Sequence, residues 1–339
     1  GLSILAALPI AQFLSLGYFL ECSARVARTG RLRDGVIGVR SAARVGGVVL
    51  GVMVSLLPLW LARSMADSAA IIDPDGVIAA NWRVALVVLA ELTFLHLLLA
   101  CLRGGRIRHF LWPLGNPFWL IGRLRRGGLY GQSRDAFWAY LASFHLGRYF
   151  RLGLTGFLGT LVWLAPPALL IGLSGRYPLL GIVGTIALAV IVPFLPFLQV
   201  HYAVEGQVRA LFDRKAALER FRRAPWAFAL ALLALLFAAI PLYLLKIEMI
   251  PREAAWLPSL VFVIFLAPAR LLTGWAYARS ARREQPRHWL FRLVGRLAIA
   301  PAAVLYVLVV FAAQYTSWGG ALSLYEQHAF LLPVPFVSM

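Results

Sequence analysis

The sequence predicts an all-α, polytopic transmembrane helix bundle, and three observations support this fold class. Apolar residues make up 61% of the 339 positions and the mean hydropathy is +0.79, whereas soluble domains contain about 45–50% apolar residues even with glycine counted. Apolar runs long enough to cross a bilayer recur along the chain. The basic residues concentrate in every second connection between those runs.

The apolar runs have the length that a membrane requires. A helix rises 1.5 Å per residue, so about 20 apolar residues cross about 30 Å of hydrocarbon. Eight runs meet this criterion, at residues 2–20, 46–65, 84–102, 152–173, 179–200, 225–245, 257–277 and 297–316. No basic region precedes the first run, which we interpret as a retained span rather than a signal peptide. We therefore expect one transmembrane domain over residues 1–339.

The distribution of basic residues predicts the orientation of these spans. Of the 33 Lys and Arg residues, 27 fall in four segments, 21–45, 103–151, 201–224 and 278–296. Lys and Arg close to span ends are retained on the cytoplasmic side. The four basic segments are therefore predicted to be cytoplasmic, with the C-terminus on the outer side.

The net charge of +19 also limits the partners. A soluble chain with this charge would suggest nucleic acid, but here the basic residues flank apolar runs, where anionic lipid headgroups are the nearer partner. We therefore expect membrane lipids, preferentially anionic, as partners, together with possible membrane-protein subunits and without nucleic acid.

Segment 103–151 is predicted to be a cytoplasmic amphipathic insertion. Pro117 is typical of a helix start, and Ser133 is a candidate N-cap for a second helix. Beyond Ser133, aromatic and apolar residues recur every three or four positions, which places them on one helical face. Such helices lie in the headgroup region with arginines beside the apolar face. The predicted headgroup-binding residues are Arg123, Arg125, Arg126, Arg134 and Arg148, of which the first three form the strongest cluster.

Motif searches predict no catalytic residue, metal site or cofactor. The patterns HExxH, GxSxG and GxxxxGK do not occur, and Cys22 and Cys101 are the only cysteines. Small residues instead indicate helix packing. Gly47 and Gly51 form a GxxxG pattern, and the start of the fourth span is crowded by Gly153, Gly156 and Gly159.

Three ionisable residues interrupt the spans. Glu91 and His96 lie in the run "LVVLAELTFLHLLLA", and Arg270 lies in the seventh span. With the third span at 84–102, Glu91 and His96 are about 3 and 4.5 Å on either side of its centre, and about 140° apart around the helix. A charge at this depth costs at least about 2.5–3.5 kcal/mol, so these side chains are expected to face the bundle.

Two interpretations of the three residues remain open. In the first, Glu91 and Arg270 form a structural tie between two helices, and His96 hydrogen-bonds a neighbour. In the second, Glu91, His96 and Arg270 form an ionisable pathway or a site for an anionic substrate.

Several phrases extend over most of the chain and carry a resemblance to a known family. They are "ALPIAQFLSLGYFLE", "GRLRDGVIGVRSAARVGG", "IPREAAWLPSLVF", "QPRHWLFR" and "YEQHAFLLPVPF". Together they resemble a bacterial family of multi-pass membrane proteins that is defined only as a domain of unknown function. The resemblance implies a location in the bacterial inner membrane and transfers no catalytic residue.

Three functions follow from these observations, in order of preference. The first is a non-enzymatic membrane component or complex subunit that contacts anionic lipid through a basic cytoplasmic face. The second is a secondary transporter or channel that uses Glu91, His96 and Arg270. The third is an enzyme that modifies lipid headgroups. A basic cavity of headgroup size favours the enzyme if an acid or base lies inside it.

Overall fold

The computed structural model describes residues 2–8, 10–247 and 256–316, together with Leu324, His328 and Leu331. Within these residues every regular element is helical. The chain divides into two compact units, the first formed by residues 1–37 with 145–339 and the second by residues 38–144.

The described residues form fourteen α-helices, several of which exceed the thickness of a bilayer core. They are α1 (Leu2–Ala7), α2 (Gln12–Thr29), α3 (Val39–Ile72), α4 (Val77–Leu102), α5 (Ile107–Leu111), α6 (Gly115–Arg126), α7 (Leu129–Ser143), α8 (Leu146–Gly172), α9 (Pro178–Ile191), α10 (Leu195–Glu205), α11 (Arg214–Arg223), α12 (Pro225–Ile247), α13 (Trp256–Ala281) and α14 (Trp289–Thr316). Two short 3₁₀ helices, Leu32–Gly35 and Val208–Phe212, follow α2 and α10.

Five helical stretches are long and apolar enough to cross a membrane. They are Ser41–Ile72, Val77–Leu102, Tyr130–Gly172, Ser259–Ala281 and Trp289–Tyr315. Two bent pairs, α9 with α10 and α11 with α12, raise the number to as many as seven. The all-α fold and the multi-pass membrane class are therefore confirmed, while the count of eight spans stays a prediction. The first predicted run is divided because α1 ends at Ala7 and α2 begins only at Gln12.

Helix α2 is the buried centre of the first unit. It packs against α8, α10 and α13, and its buried residues point to every side of the helix. Four of these buried residues are polar, namely Gln12, Ser15, Glu21 and Ser23. A helix that faced lipid would expose such groups to hydrocarbon, whereas a helix enclosed by protein can hydrogen-bond them. This position explains why α2 is too polar to qualify as a span by itself.

Glycines bring α2 and α8 into backbone contact. A Cβ atom at Gly153 would overlap the carbonyl oxygen of Phe13, and one at Gly17 would overlap the carbonyl oxygen of Tyr149. One turn further along α8, a Cβ atom at Gly156 would lie 2.7 Å from a methyl group of Leu20. Small residues permit this approach because they leave no side chain between the two backbones.

Prolines of the first unit interrupt one helix and leave two others continuous. Helix α8 continues through Pro166 and Pro167, and α13 continues through Pro268. In contrast, α9 and α10 meet at an angle of 46° where Pro193 interrupts the fifth predicted run. A proline lacks the N–H group of the helical ladder and displaces the preceding turn. The α9–α10 bend therefore leaves space beside Pro193.

The second unit contains the hairpin of α3 and α4 and the short helices α5, α6 and α7. A Cβ atom at Gly51 of α3 would lie 2.8 Å from the Cβ atom of Phe110 in α5, whereas Gly47 has no neighbour within 4 Å. The structure contradicts the prediction of Ser133 as an N-cap, because α7 begins at Leu129. The preceding residue, Gly128, adopts a positive φ of 71° and allows the chain to turn into α7 earlier.

The contact between α2 and α8 predicts that alanine substitution at two glycines of α8 has different effects on stability. We expect Gly153→Ala to lower the free energy of unfolding by about 1–3 kcal/mol, because the added methyl group meets backbone atoms that cannot rotate away. Gly147→Ala is the matched control, since a Cβ atom at Gly147 would meet no other part of the described chain within 4 Å and alanine favours a helix. Thermal unfolding in detergent measures both. Equal melting temperatures for the two variants would contradict the packing described here.

Candidate functional site

Arg270 lies at the centre of a buried hydrogen-bond network in the first unit. Its side chain is fully buried, and its Nη1 atom donates to Oε1 of Gln199 at 2.6 Å. Gln199 in turn donates to Oγ1 of Thr160 at 2.7 Å and to the carbonyl oxygen of Leu331 at 3.0 Å. This network joins α13, α10 and α8. Hydrogen bonds to a charged donor are stronger than neutral ones, so the network stabilises the packing of these helices.

Helix α2 joins the same region through the backbone. The hydroxyl group of Ser23 donates to the carbonyl oxygen of Arg270 at 2.9 Å and to that of Phe19 at 3.0 Å. A Cβ atom at Gly274, one turn beyond Arg270, would overlap the carbonyl oxygen of Ser23. Ser23 and Gly274 therefore fix the position of α2 beside α13.

His96 holds a loop against α4 in the second unit. Its Nε2 atom lies 2.9 Å from the carbonyl oxygen of Phe110, and its Nδ1 atom lies 3.2 Å from the amide nitrogen of Asn116. A carbonyl oxygen only accepts and an NH₂ group only donates, so both contacts are satisfied by the tautomer that carries a proton on Nε2. Asn116 also donates to the carbonyl oxygen of His109 at 2.9 Å. His96 thus anchors the segment between α5 and α6.

Helix α4 extends further than the sequence suggested, which changes the depth of its ionisable residues. It begins at Val77 rather than at residue 84, so its midpoint lies between Leu89 and Ala90. Glu91 is then about 2 Å from the midpoint and His96 about 10 Å from it, towards the C-terminal end. Glu91 is exposed on the second unit, whereas His96 is half-buried.

The predicted pairing of Glu91 with Arg270 involves one residue from each unit. Arg270 belongs to the first unit and hydrogen-bonds Gln199 there. Glu91 belongs to the second. The pairing, and the pathway that would add His96 to it, stay predictions.

The five arginines predicted to bind headgroups are divided between the units. Arg123, Arg125 and Arg126 occupy the last turn of α6, and Arg134 pairs with Asp135 at 3.0 Å. Arg148 belongs to the first unit, where its Nη2 atom lies 2.9 Å from Oε2 of Glu21. Only the three arginines of α6 are therefore adjacent on one helix.

Glu21 is surrounded by three arginines in an arrangement that the sequence did not reveal. Its carboxylate is 3% exposed and lies 3.2 Å from Arg25, 3.9 Å from Arg28 and 2.9 Å from Arg148. Arg28 also donates to the carbonyl oxygen of Ala203 at 2.9 Å. One carboxylate thus connects α2, α8 and α10 and leaves an excess of positive charge at this end of the helices. Arg148 is 127 positions from Glu21, so no local pattern links them.

A basic cavity of about 170 Å³ lies where α13 ends and α14 begins. We call it the arginine cavity, and its lining residues are Ala224, Pro225, Trp226, Ala227, Arg279, Arg283, Arg287 and Phe291. The backbone N–H of Arg287 donates to the carbonyl oxygen of Arg222 at 2.8 Å, which fixes the loop against α11. The guanidinium of Arg287 lies 5.6 Å from the ring centre of Phe291. Three arginines and two aromatic residues therefore line one small cavity.

The long apolar helices are those of a multi-pass membrane protein, and three arginines of its first unit line one cavity. No known family model, curated protein or solved structure matches the chain. Within the described residues, no group of three His, Cys, Asp or Glu side chains is placed to hold a metal ion. The function must therefore be inferred from the residues themselves.

The buried network predicts energetic coupling between Arg270 and Gln199. We expect Arg270→Met and Gln199→Leu each to reduce the free energy of unfolding by about 1.5–3 kcal/mol, because each leaves a buried polar partner without its hydrogen bond. The double variant should lose less than the sum, with a coupling energy above about 0.5 kcal/mol. Thermal unfolding in detergent measures the cycle.

The same measurement applies to Glu91. If Glu91 pairs with Arg270, Glu91→Gln and Arg270→Gln should each cost about 3–5 kcal/mol, and the double variant should lose clearly less than the sum of the two. Additive losses would show that the two side chains do not touch. Leu95→Ala, which changes an exposed residue one turn from Glu91, is the control for α4.

Proposed function

We propose that this protein is a non-enzymatic component of the bacterial inner membrane that binds anionic phospholipid in the arginine cavity. The observation that carries the proposal is the convergence of Arg279, Arg283 and Arg287 on one cavity, with no acidic side chain among its described lining residues. Phosphate oxygens match the planar guanidinium group, which donates two parallel hydrogen bonds to them.

The aromatic residues of the arginine cavity support a position at the membrane interface. Trp226 is the second residue of α12 and is 49% exposed, and Phe291 lies in the first turn of α14. Tryptophan is enriched at the headgroup level, where its ring contacts both lipid and water. A lipid phosphate is the anion that this level of the membrane supplies most abundantly, which favours lipid over a soluble anion.

The lining of the arginine cavity favours a binding role over an enzymatic one. A hydrolase or transferase that acts on headgroups needs a general acid, a general base or a metal ion beside the phosphate. Among the residues that line the cavity in the described part of the chain, none is Asp, Glu, His or Cys. Three arginines can hold a phosphate but none of them exchanges protons near neutral pH.

The hairpin of α3 and α4 supports a role as a membrane component with partners. Most of its side chains are exposed on the second unit, including Met53, Trp60 and Phe94. Large exposed apolar surfaces mark contacts with lipid or with other proteins. We propose that lipid or a partner subunit covers this hairpin.

Anionic lipid binding is tested by removing three charges from one place. In the triple variant Arg279→Gln, Arg283→Gln and Arg287→Gln, we expect the affinity for phosphatidylglycerol to fall on the order of 10- to 100-fold, because each basic residue near an anionic surface contributes about 1 kcal/mol. Native mass spectrometry in detergent measures the binding at several lipid concentrations.

A matched triple variant controls for the change in net charge. Arg63→Gln, Arg83→Gln and Arg176→Gln remove the same three charges from the predicted outer side, and we expect unchanged binding. A further triple variant, Arg123→Gln, Arg125→Gln and Arg126→Gln, should weaken binding in a manner that salt suppresses, since exposed charges are screened. Equal affinities for the arginine-cavity variant and the outer-side variant would contradict the proposed function.

The predicted orientation requires its own experiment. In a variant with Cys22 and Cys101 replaced by serine, we expect a cysteine at Asp75 to react with an impermeant thiol reagent in intact cells. A cysteine at Gln132 should react only after lysis. Asp75 and Gln132 are both exposed, so accessibility alone does not separate them. The reverse pattern would contradict the predicted orientation.

A further inference from the structure

A second, apolar cavity of about 320 Å³ lies in the first unit beside the α9–α10 bend. Thirteen described residues line it, of which twelve are apolar, including Val190, Phe194, Phe221, Phe228 and Ala303. The remaining lining residue is Arg296. We call this space the chain cavity.

Two breaks in the helices create the chain cavity. The 46° bend at Pro193 turns α10 away from α9, and the 111° angle between α11 and α12 sets α11 across the end of the cavity. Ala217 and Phe221 are the buried residues of α11, and both line the cavity. Five other residues of α11 are basic, namely Arg214, Lys215, Arg220, Arg222 and Arg223. Helix α11 is thus amphipathic, with its apolar side over the cavity, as expected at a membrane surface.

Arg296 gives the chain cavity one charged end. It is exposed, and its guanidinium lies 5.9 Å from the ring centre of Phe221. None of the ion pairs among the described residues involves Arg296. A cation without a carboxylate beside it is available for an anionic ligand.

We infer that the chain cavity binds one hydrocarbon chain of an anionic phospholipid, whose phosphate is held by Arg296. This inference rests on the proposed lipid-binding function and names a second place where it operates. Apolar walls bind a hydrocarbon chain because binding removes the apolar surface of both from water. A few well-placed polar groups then fix the orientation of the ligand. A cavity with twelve apolar residues and one arginine matches a long chain with a single anionic head.

The chemistry of the cavity gives two separate requirements for its ligand. The walls require a long chain, and Arg296 requires a negative charge. Dioleoyl phosphatidylglycerol meets both requirements, dioleoyl phosphatidylcholine meets only the first, and dihexanoyl phosphatidylglycerol meets only the second. We therefore expect the first of these lipids to bind the full-length protein more tightly than the other two, by about tenfold or more.

Variants assign each requirement to its residue. Ala300 is an exposed residue of α14 that lines the chain cavity. Ala300→Trp adds a large ring there and should weaken the binding of dioleoyl phosphatidylglycerol about tenfold, while the binding of the dihexanoyl lipid stays unchanged. Val304→Trp adds the same ring one turn further along α14, where Val304 is 51% exposed and does not line the cavity. This control should bind as the original protein does. Arg296→Gln should reduce the preference for phosphatidylglycerol over phosphatidylcholine to the part that the arginine cavity contributes, and Arg296→Lys should restore most of what is lost.

Binding is measured by native mass spectrometry with each lipid, and melting temperatures in detergent confirm that each variant is folded. The inference about the chain cavity would be overturned if the dihexanoyl and dioleoyl lipids bound equally. It would also be overturned if Ala300→Trp and Val304→Trp had identical affinities for dioleoyl phosphatidylglycerol. In that case, a loss of binding in the Arg279, Arg283 and Arg287 variant would still support the proposed function. If that triple variant also binds normally, both proposals fail.

Discussion

The backbone contact between α2 and α8 is the constraint on which the first unit depends. Glycines at positions 17 and 153 allow the two backbones to approach without intervening side chains, and this approach places α2 inside the protein rather than in lipid. An enclosed helix can carry Glu21 and Ser23, because neighbouring helices supply their hydrogen-bonding partners. The same helix therefore connects the packing of the unit to its charged end.

The arginines in the interior of the first unit and those at its end have different surroundings. In the interior, Arg270 is fully buried and donates to Gln199, so its charge stabilises the contacts between helices. At the end, the carboxylate of Glu21 is outnumbered by arginines, and the arginine cavity has no described carboxylate in its lining. A buried guanidinium group that is hydrogen-bonded within the protein stabilises helix packing. A guanidinium group with no carboxylate beside it attracts anions. The proposed lipid sites follow from this contrast.

Irregular backbone produces the two cavities. Long continuous helices that pack side by side leave little space between them. Helices α8 and α13 are each continuous through their prolines. Space appears where α9 and α10 diverge at Pro193 and where α11 turns into α12. The α11–α12 turn contributes to both cavities, since Ala217 and Phe221 line one and Pro225 and Trp226 line the other. One turn of the chain thus separates the cavity lined by three arginines from the cavity lined mostly by apolar residues.

The sequence by itself determined the membrane class and the helical fold, because apolar runs of this length have no other stable arrangement in a bilayer. It also indicated that glycines such as Gly153 and Gly156 are helix-packing positions, since small residues at helical spacing are a local pattern. Only the tertiary structure decided that α2 is enclosed, that His96 anchors a loop through Asn116, and that Arg279, Arg283 and Arg287 share a cavity with Trp226. These groupings join residues distant in the chain, and the depth of a residue depends on where its helix begins. Neither property is encoded in composition or periodicity, because both arise from how the helices pack.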